Sequence, residues 1–290
     1  MQGVPTPLAV IGLGSVGRRL ALAWRDAGLS VAASSPRAAS RDRARAAGLE
    51  VRDELARAVE GAKCIVLCVG DASLAQAASE LAATLAPGAR PACLHTCGSR
   101  GASALAALAA RGCPVGSLHP LASFAPEGPG PVLDGAWCAI GGDEAARDAA
   151  KQLASALGLW PLALKKEEDA ALRYHTAATL LANGAVALAS MAFELAQQAC
   201  ADPADARAAF QSLLAGSIGS LDQRTPEKAL TGPVSRGDVE TVRSHLHLLA
   251  ADPPLLEAYK SLSKRMVELA QRDGRLREAQ ARAMDRLLNP

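Results

Sequence analysis

The chain is 290 residues long, room enough for two domains with substantial cores. Its 31 basic and 29 acidic residues nearly cancel, and it holds three Trp, two Tyr and three Phe, so neither net charge nor base stacking recommends a nucleic-acid partner. Seven cysteines, an odd count with no C-x-x-C pair, argue against a disulfide framework and against a zinc or other metal site.

The first element is the apolar run LAVIGL (8–13), which opens into Gly12-Leu13-Gly14-Ser15-Val16-Gly17 and a helix-like RRLALAWRDAG. A G-x-G-x-x-G between a strand and a helix reads as a dinucleotide site. Gly12 is expected to make the tight turn, Gly14 to admit the pyrophosphate to the backbone, and Gly17 to let helix pack on strand. Ser15 and Val16 then lie at the helix N-terminus, whose unpaired N–H groups favour an anion. The alternative is a glycine turn in an unrelated βαβ unit.

The second strand, LSVAAS (29–34), leads into Ser34, Ser35, Pro36 and Arg37 with no acid. A carboxylate there would accept from both ribose hydroxyls, whereas two hydroxyls and a guanidinium suit a phosphate dianion. NADP(H) is therefore expected over NAD(H), the alternative for Arg37 being a solvated arginine in a loop that also carries Arg41, Arg43 and Arg45. Strands KCIVLCV (63–69), PACLHT (91–96), PVGSLH (114–119), AWCAIGG (136–142) and LWPLAL (159–164) follow. Val69, Gly70 and His95, at the ends of the first two, are expected to touch the cofactor. Cys97, beside Gly98, is a weaker candidate for a catalytic thiol.

Strands alternating with helices imply an α/β fold, a doubly wound Rossmann-like parallel sheet, over residues 1–164. The segment between Pro120 and Asp134 is rich in Pro and Gly and must be loop. From Lys165 the pattern turns helical and stays so, giving an all-α substrate and dimerisation domain over 165–290. One long helix spans 165–200, apolar around most of its circumference, which implies burial on several sides and a homodimer formed around residues 170–198. Further helices are expected at 203–215, 238–250 and 254–288, the last broken near Gly274, with a loop at 225–237. No uninterrupted apolar run reaches membrane-spanning length, and MQGVPTP lacks both a basic n-region and a cleavage site. A cytoplasmic protein without a membrane partner is expected.

The motifs GLGSVG (12–17), LHTCGS (94–99), SLHPLASF (117–124), YHTAATLLANG (174–184) and TGPVSRGD (231–238) together resemble a bacterial family with a Rossmann-like N-terminal domain and a helical C-terminal domain of unknown function. The first half is also similar to pyrroline-5-carboxylate reductase and deazaflavin-dependent NADP oxidoreductases, and the layout to 6-phosphogluconate and β-hydroxyacid dehydrogenases. The resemblance implies an NADP-binding half, a cleft between domains and a helical half that dimerises. One departure is Ala182, where that family commonly has serine before the helix asparagine.

With hydride supplied by a nicotinamide, the protein need only orient a small-molecule substrate and move a proton. His119, at a strand end before Pro120, and His175 are the candidate proton partners, since imidazole titrates near neutrality. Either could instead be structural. His175, Thr179 and Asn183 recur every four residues and form one polar stripe, with Asn183 expected to orient substrate. Asn183-Gly184 could equally be a turn. Ser235 and Arg236, before a helix that Asp238 could cap, are candidates for an anion clamp, or belong to an ordinary capped loop. The reading is an NADPH-dependent oxidoreductase for a small carbonyl, imine or hydroxy-acid-like substrate; the alternative is a sensor that holds NADP without turnover.

Overall fold

The computed structural model describes residues 3–125, 128, 130–167 and 169–289. These form two compact units, Met1–Ala182 and Asn183–Pro290. The composition change near 164 coincides with the end of the last strand, whereas the compact units part further on, inside the long helix.

The first unit is built on an eight-stranded sheet of order β3-β2-β1-β4-β5-β6-β7-β8. Its strands are β1 (Leu8–Ile11), β2 (Val31–Ser34), β3 (Glu50–Val51), β4 (Cys64–Leu67), β5 (Ala92–His95), β6 (Val115–Pro120), β7 (Trp137–Gly142) and β8 (Trp160–Ala163). The crossover helices are α1 (Ser15–Asp26), α2 (Ala38–Ala46), α3 (Leu55–Val59), α4 (Leu74–Thr84), α5 (Ala106–Ala109) and α6 (Glu144–Ser155). Each apolar run expected as a strand is one; the two-residue β3 carried no readable signal.

Pairing is parallel except between β6 and β7, where Leu118 faces Ile140 in an antiparallel register. A parallel connection needs a crossover, and the described residues between Pro120 and β7 form no helix to make one, so the chain returns alongside itself. The remaining pairs keep the doubly wound arrangement.

Strand alternation feeds two cores, one on each face of the sheet. Leu8, Val10, Cys64, Val66 and Leu94 join Leu20 and Trp24 of α1 and Leu153 of α6 on one side. Ala9, Ile11, Ile65, Leu67 and Cys93 join Leu74 and Leu81 of α4 and Leu108 of α5 on the other. The buried Trp24 indole donates to the Leu153 carbonyl at 2.9 Å, so its one polar atom is satisfied. Asp143 caps α6 through Ala146 N at 2.9 Å, and its second carboxylate oxygen accepts from Val115 N at 2.7 Å, tying that helix start to β6.

The helix α7 (Ala170–Ala199) begins in the first unit and continues through Asn183-Gly184 without a turn. The second unit adds α8 (Pro203–Gly219), α9 (Pro226–Ala229), α10 (Pro233–Arg236), α11 (Val239–Leu249), α12 (Pro253–Arg272) and α13 (Glu278–Leu288). The expected 225–237 loop thus contains two single-turn helices, and the break near Gly274 is real: that residue ends α12 at φ +73°. Asp202, Asp238 and Asp252 cap α8, α11 and α12. The core here is Val234, Val242, Val267, Ala270, Leu276 and Met284.

By length and composition α7 is apolar enough to cross a membrane, with a mean hydropathy of 1.5 over an 18-residue window that is 0% buried within the chain. The expectation that no apolar run reaches that length holds only for uninterrupted runs. Burial on several sides is likewise not met within one chain, for Leu180 is 76% exposed and Leu181 73%.

Candidate functional site

The three glycines of the first loop do three different jobs. Gly12 lies at φ +98°, and a Cβ there would stand 2.4 Å from the Cys68 carbonyl oxygen. At Gly17 a Cβ would fall 1.9 Å from the Gly12 carbonyl and 2.7 Å from Cys68 Cβ, so α1 can rest on the loop only with no side chain there. A Cβ on Gly14 meets nothing within 4 Å: this backbone faces open space at the start of α1, which no side chain caps. These are the places where a dinucleotide pyrophosphate needs backbone access and free N–H groups, and the residues present fit that group.

A cavity of ≈ 300 Å³ opens beside the loop. It is walled by Gly14, Ser15 and Val16 after β1, Val69 to Asp71 after β4, Thr96 to Gly98 after β5, and His119 with His175. All four strands deliver these residues from their carboxyl ends, the edge at which open α/β sheets bind ligands. His119 is the penultimate residue of β6 and His175 stands on the second turn of α7. Their rings meet edge to face at 5.7 Å between centroids. Gly98 makes this possible: a Cβ there would lie 2.6 Å from His175 Nδ1 and 2.8 Å from His119 Nε2.

His119 Nδ1 shares a 3.0 Å hydrogen bond with the Tyr174 hydroxyl. Burial, reinforced by the neighbouring His175, pushes the His119 pKa down to about 4, so its ring is neutral at pH 7. Burial pushes the Tyr174 phenol up to about 12. His175 Nδ1 is buried with no hydrogen-bond partner among the described residues, a group that a ligand would satisfy. Ser99 Oγ donates to Asp71 Oδ2 at 2.8 Å and lies 3.4 Å from Cys97 Sγ. Burial alone would raise the Asp71 carboxyl, but hydrogen bonds from Cys97 and Ser99 hold it below the usual range. The Cys97 thiol is itself raised by burial and is no thiolate at neutral pH.

The depressed His119 pKa has a measurable consequence. The unfolded chain protonates this residue near pH 6.5 and the folded chain only near 4. Its contribution is whole above pH 6.5 and is lost as pH falls through that interval, amounting to about 3 kcal/mol. Denaturant melts at pH 7 and pH 4.5 should show His119→Gln losing less stability on acidification than wild type; equal losses would refute the assignment.

Of the residues expected from sequence, the structure gathers Gly14, Ser15, Val16, Val69, Gly70, His119 and His175 around one cavity, with Gly12 and Gly17 shaping the loop. Ser34 and Ser35 line a neighbouring cavity, and Arg37 is exposed as the N-cap of α2. His95 does not line the cofactor cavity. It is 0% exposed, its Nε2 pairs with the Gly101 carbonyl at 3.1 Å, and the strand turns its successor Thr96 to the opening instead. Thr179 is exposed on α7, outside the cavity lining, and Asn183 is exposed where the second unit begins. In that unit Arg236 is exposed, while Ser235 is buried with its hydroxyl bonded to Gly232 O at 2.9 Å, a turn-stabilising role. Tyr174, Asp71 and Ser99 went unread, although Tyr174 adjoins His175 in the same YHT segment.

Residues 7–116 match the NAD binding domain of 6-phosphogluconate dehydrogenase, and residues 136–266 match a domain of unknown function, DUF2520. The first unit is thus a Rossmann-like NAD-binding domain, as the motifs implied. Among solved structures, the chain is similar to a Bacteroides fragilis protein described provisionally as an NADP oxidoreductase (22% identity, TM-score 0.73, covering 90% of this chain and 98% of that one). It is also similar to an imine reductase from Pseudomonas sp. (19%, 0.64, 97% and 99%) and to a pyrroline-5-carboxylate reductase from Coxiella burnetii (14%, 0.61, 92% and 99%). At these identities the likeness is one of fold. No curated protein matches the chain.

Proposed function

We propose that the protein is a cytoplasmic NADPH-dependent reductase of a small carbonyl or imine. One observation carries this reading: two imidazoles are lowered onto Gly98 beside an open glycine loop, in a cavity at the carboxyl edge of the sheet. Structures of similar fold, among them an imine reductase and a reductive aminase in complex with NADPH, support the reaction class. The bound dinucleotide supplies a hydride to the substrate carbon. The chain's part is to hold the substrate's oxygen or nitrogen and complete the proton balance. With Tyr174 O–H donating to Nδ1, neutral His119 presents Nε2–H to that atom and polarises it. His175 delivers the proton that neutralises the product. Thr179, Asn183 and Arg236 are assigned to the substrate on residue chemistry alone.

The test is a panel of small ketones, aldehydes and cyclic imines, following NADPH absorbance and product mass. Consumption with formation of the reduced product is expected; tight NADPH binding without turnover across the panel would favour a sensor. Calorimetry should also give a lower Kd for NADPH than for NADH. Arg37→Ala combined with Ser34→Ala should narrow that gap by roughly tenfold, the worth of a charge-assisted hydrogen bond. Equal wild-type affinities would remove the NADP assignment.

The same reading includes a homodimer. Leu172, Leu180, Leu181 and Val186 of α7 are all more than half exposed, as are Leu213 and Ile218 of α8. A ≈ 540 Å³ apolar cavity in the second unit is lined by Leu188, Phe193, Phe210 and Leu213. Soluble monomers rarely leave so many large apolar side chains bare along one helix, and a second copy covers them without any further component. Light scattering should give twice the chain mass, with Leu180→Glu shifting it toward monomer. A monomer at high concentration, or wild-type chain partitioning onto lipid vesicles, would overturn this.

A further inference from the structure

At the carboxyl end of β2 lies a second cavity of the first unit, ≈ 370 Å³, lined by Ser34, Ser35, Pro36, Asp53, Gln76 and Glu80 among others. Two arginines of α2 converge on one of its lining residues, Asp53. Arg41 Nε stands 2.8 Å from Asp53 Oδ1, and Arg45 Nη2 stands 2.7 Å from the same oxygen. Arg41 does not depend on that carboxylate for its position, because its Nη1 donates to the Ser35 carbonyl at 2.7 Å and the Pro36 carbonyl at 3.1 Å. Its side chain is only 20% exposed, whereas Asp53 is 64% exposed. The guanidinium is therefore anchored by neutral acceptors, and the Asp53 carboxylate serves to neutralise it.

This matters because the wall that would receive a ribose 2′-phosphate carries its own anion. A phosphate arriving beside Ser34 and Ser35 gains from Arg41 and is opposed by Asp53, and the balance of these terms sets how strongly the phosphorylated dinucleotide is preferred. Resting on the reading that this unit binds a nicotinamide dinucleotide, we propose that Asp53 tunes cofactor selectivity: its carboxylate neutralises Arg41 and Arg45 and so weakens 2′-phosphate binding. Arg41, held in place independently, is the cation it masks.

The experiment measures the binding of NADPH and NADH by calorimetry to wild type, Asp53→Asn, Arg41→Gln and the double variant, each checked by circular dichroism and thermal melt. Asn preserves the shape and removes the charge. Asp53→Asn is expected to bind NADPH about three- to tenfold more tightly at low ionic strength, the effect of one unit charge a few ångströms away in a solvated site, and NADH unchanged. The gain should shrink at high salt, and the double variant should bind NADPH less tightly than Asp53→Asn because the unmasked cation is gone. Weaker NADPH binding by Asp53→Asn would mean that the carboxylate positions Arg41, and an equal change for both dinucleotides would mean that it touches the adenosine. Either overturns the proposal, as does no change at all. A wild-type chain that binds neither dinucleotide overturns the cofactor reading and the proposal with it, a result plainly distinct from the other three.

Discussion

Replacing Gly17 with alanine is expected to abolish dinucleotide binding and to destabilise the first unit by about 3 kcal/mol, the upper end of the usual range for forcing a methyl group into a packed core. The added Cβ would sit 1.9 Å from the Gly12 carbonyl oxygen and 2.7 Å from Cys68 Cβ, and neither can retreat. The first is backbone of a loop already held at φ +98°, and the second belongs to the residue immediately after the buried strand β4. Relief requires α1 to lift from the sheet, which opens the packing of Leu20 and Trp24 and moves the helix N-terminus away from the phosphates. A thermal melt together with calorimetry against NADPH checks both halves; a variant that melts and binds like wild type would mean that the loop is not as close-packed as described.

His119→Ala should lower kcat for reduction by roughly 10²- to 10³-fold, the cost of removing one donor aimed at a developing charge, while NADPH affinity changes little. His119→Gln, which can still present an N–H, should recover part of the loss. In the proposed function the dinucleotide is held by the glycine loop and the end of β2, so an effect confined to Kd for NADPH would place His119 against the cofactor instead of the substrate. Tyr174→Phe separates positioning from chemistry. It keeps the ring beside His119 but removes the hydroxyl that fixes which imidazole nitrogen carries the proton, and its loss should be smaller than that of His119→Ala, with an altered pH profile.

The glycine loop was legible because two of its glycines, Gly12 and Gly17, answer close-approach demands that no other residue meets, and the third keeps the spacing of the motif, all of it local in sequence. The strands were legible for the same reason: runs such as CIVL are short, apolar and bounded by turns. What escaped was set by distant partners. His119 and Tyr174 are 55 residues apart, and nothing in either segment announces their hydrogen bond. Gly98 drew notice only as the neighbour of Cys97, because the steric reason for a glycine there lies in two rings carried by β6 and α7. His95 was expected at the cofactor from its place at a strand end, yet it is buried and the residue that lines the cavity is the next one, Thr96, on the opposite side of the strand. Asn183-Gly184 has the composition of a turn, but a helix already propagated through residues 170–182 carries two weak helix formers at little cost. The antiparallel return of β7 follows from the Pro- and Gly-rich segment before it, a signal that was in the sequence and was read only as loop.

Gly14 stands apart from its two neighbours, for a methyl group added there would touch nothing in the protein itself. Its backbone is extended, at φ −71° and ψ −165°, a conformation that alanine adopts freely. A chain carrying alanine at this position should therefore fold as well as the parent and yet hold a methyl group where a pyrophosphate would have to approach. One methyl group at residue 14 thus separates being a folded protein from being a receptor, and marks the shortest mutational route by which such a domain could outlive its ligand as an inert scaffold.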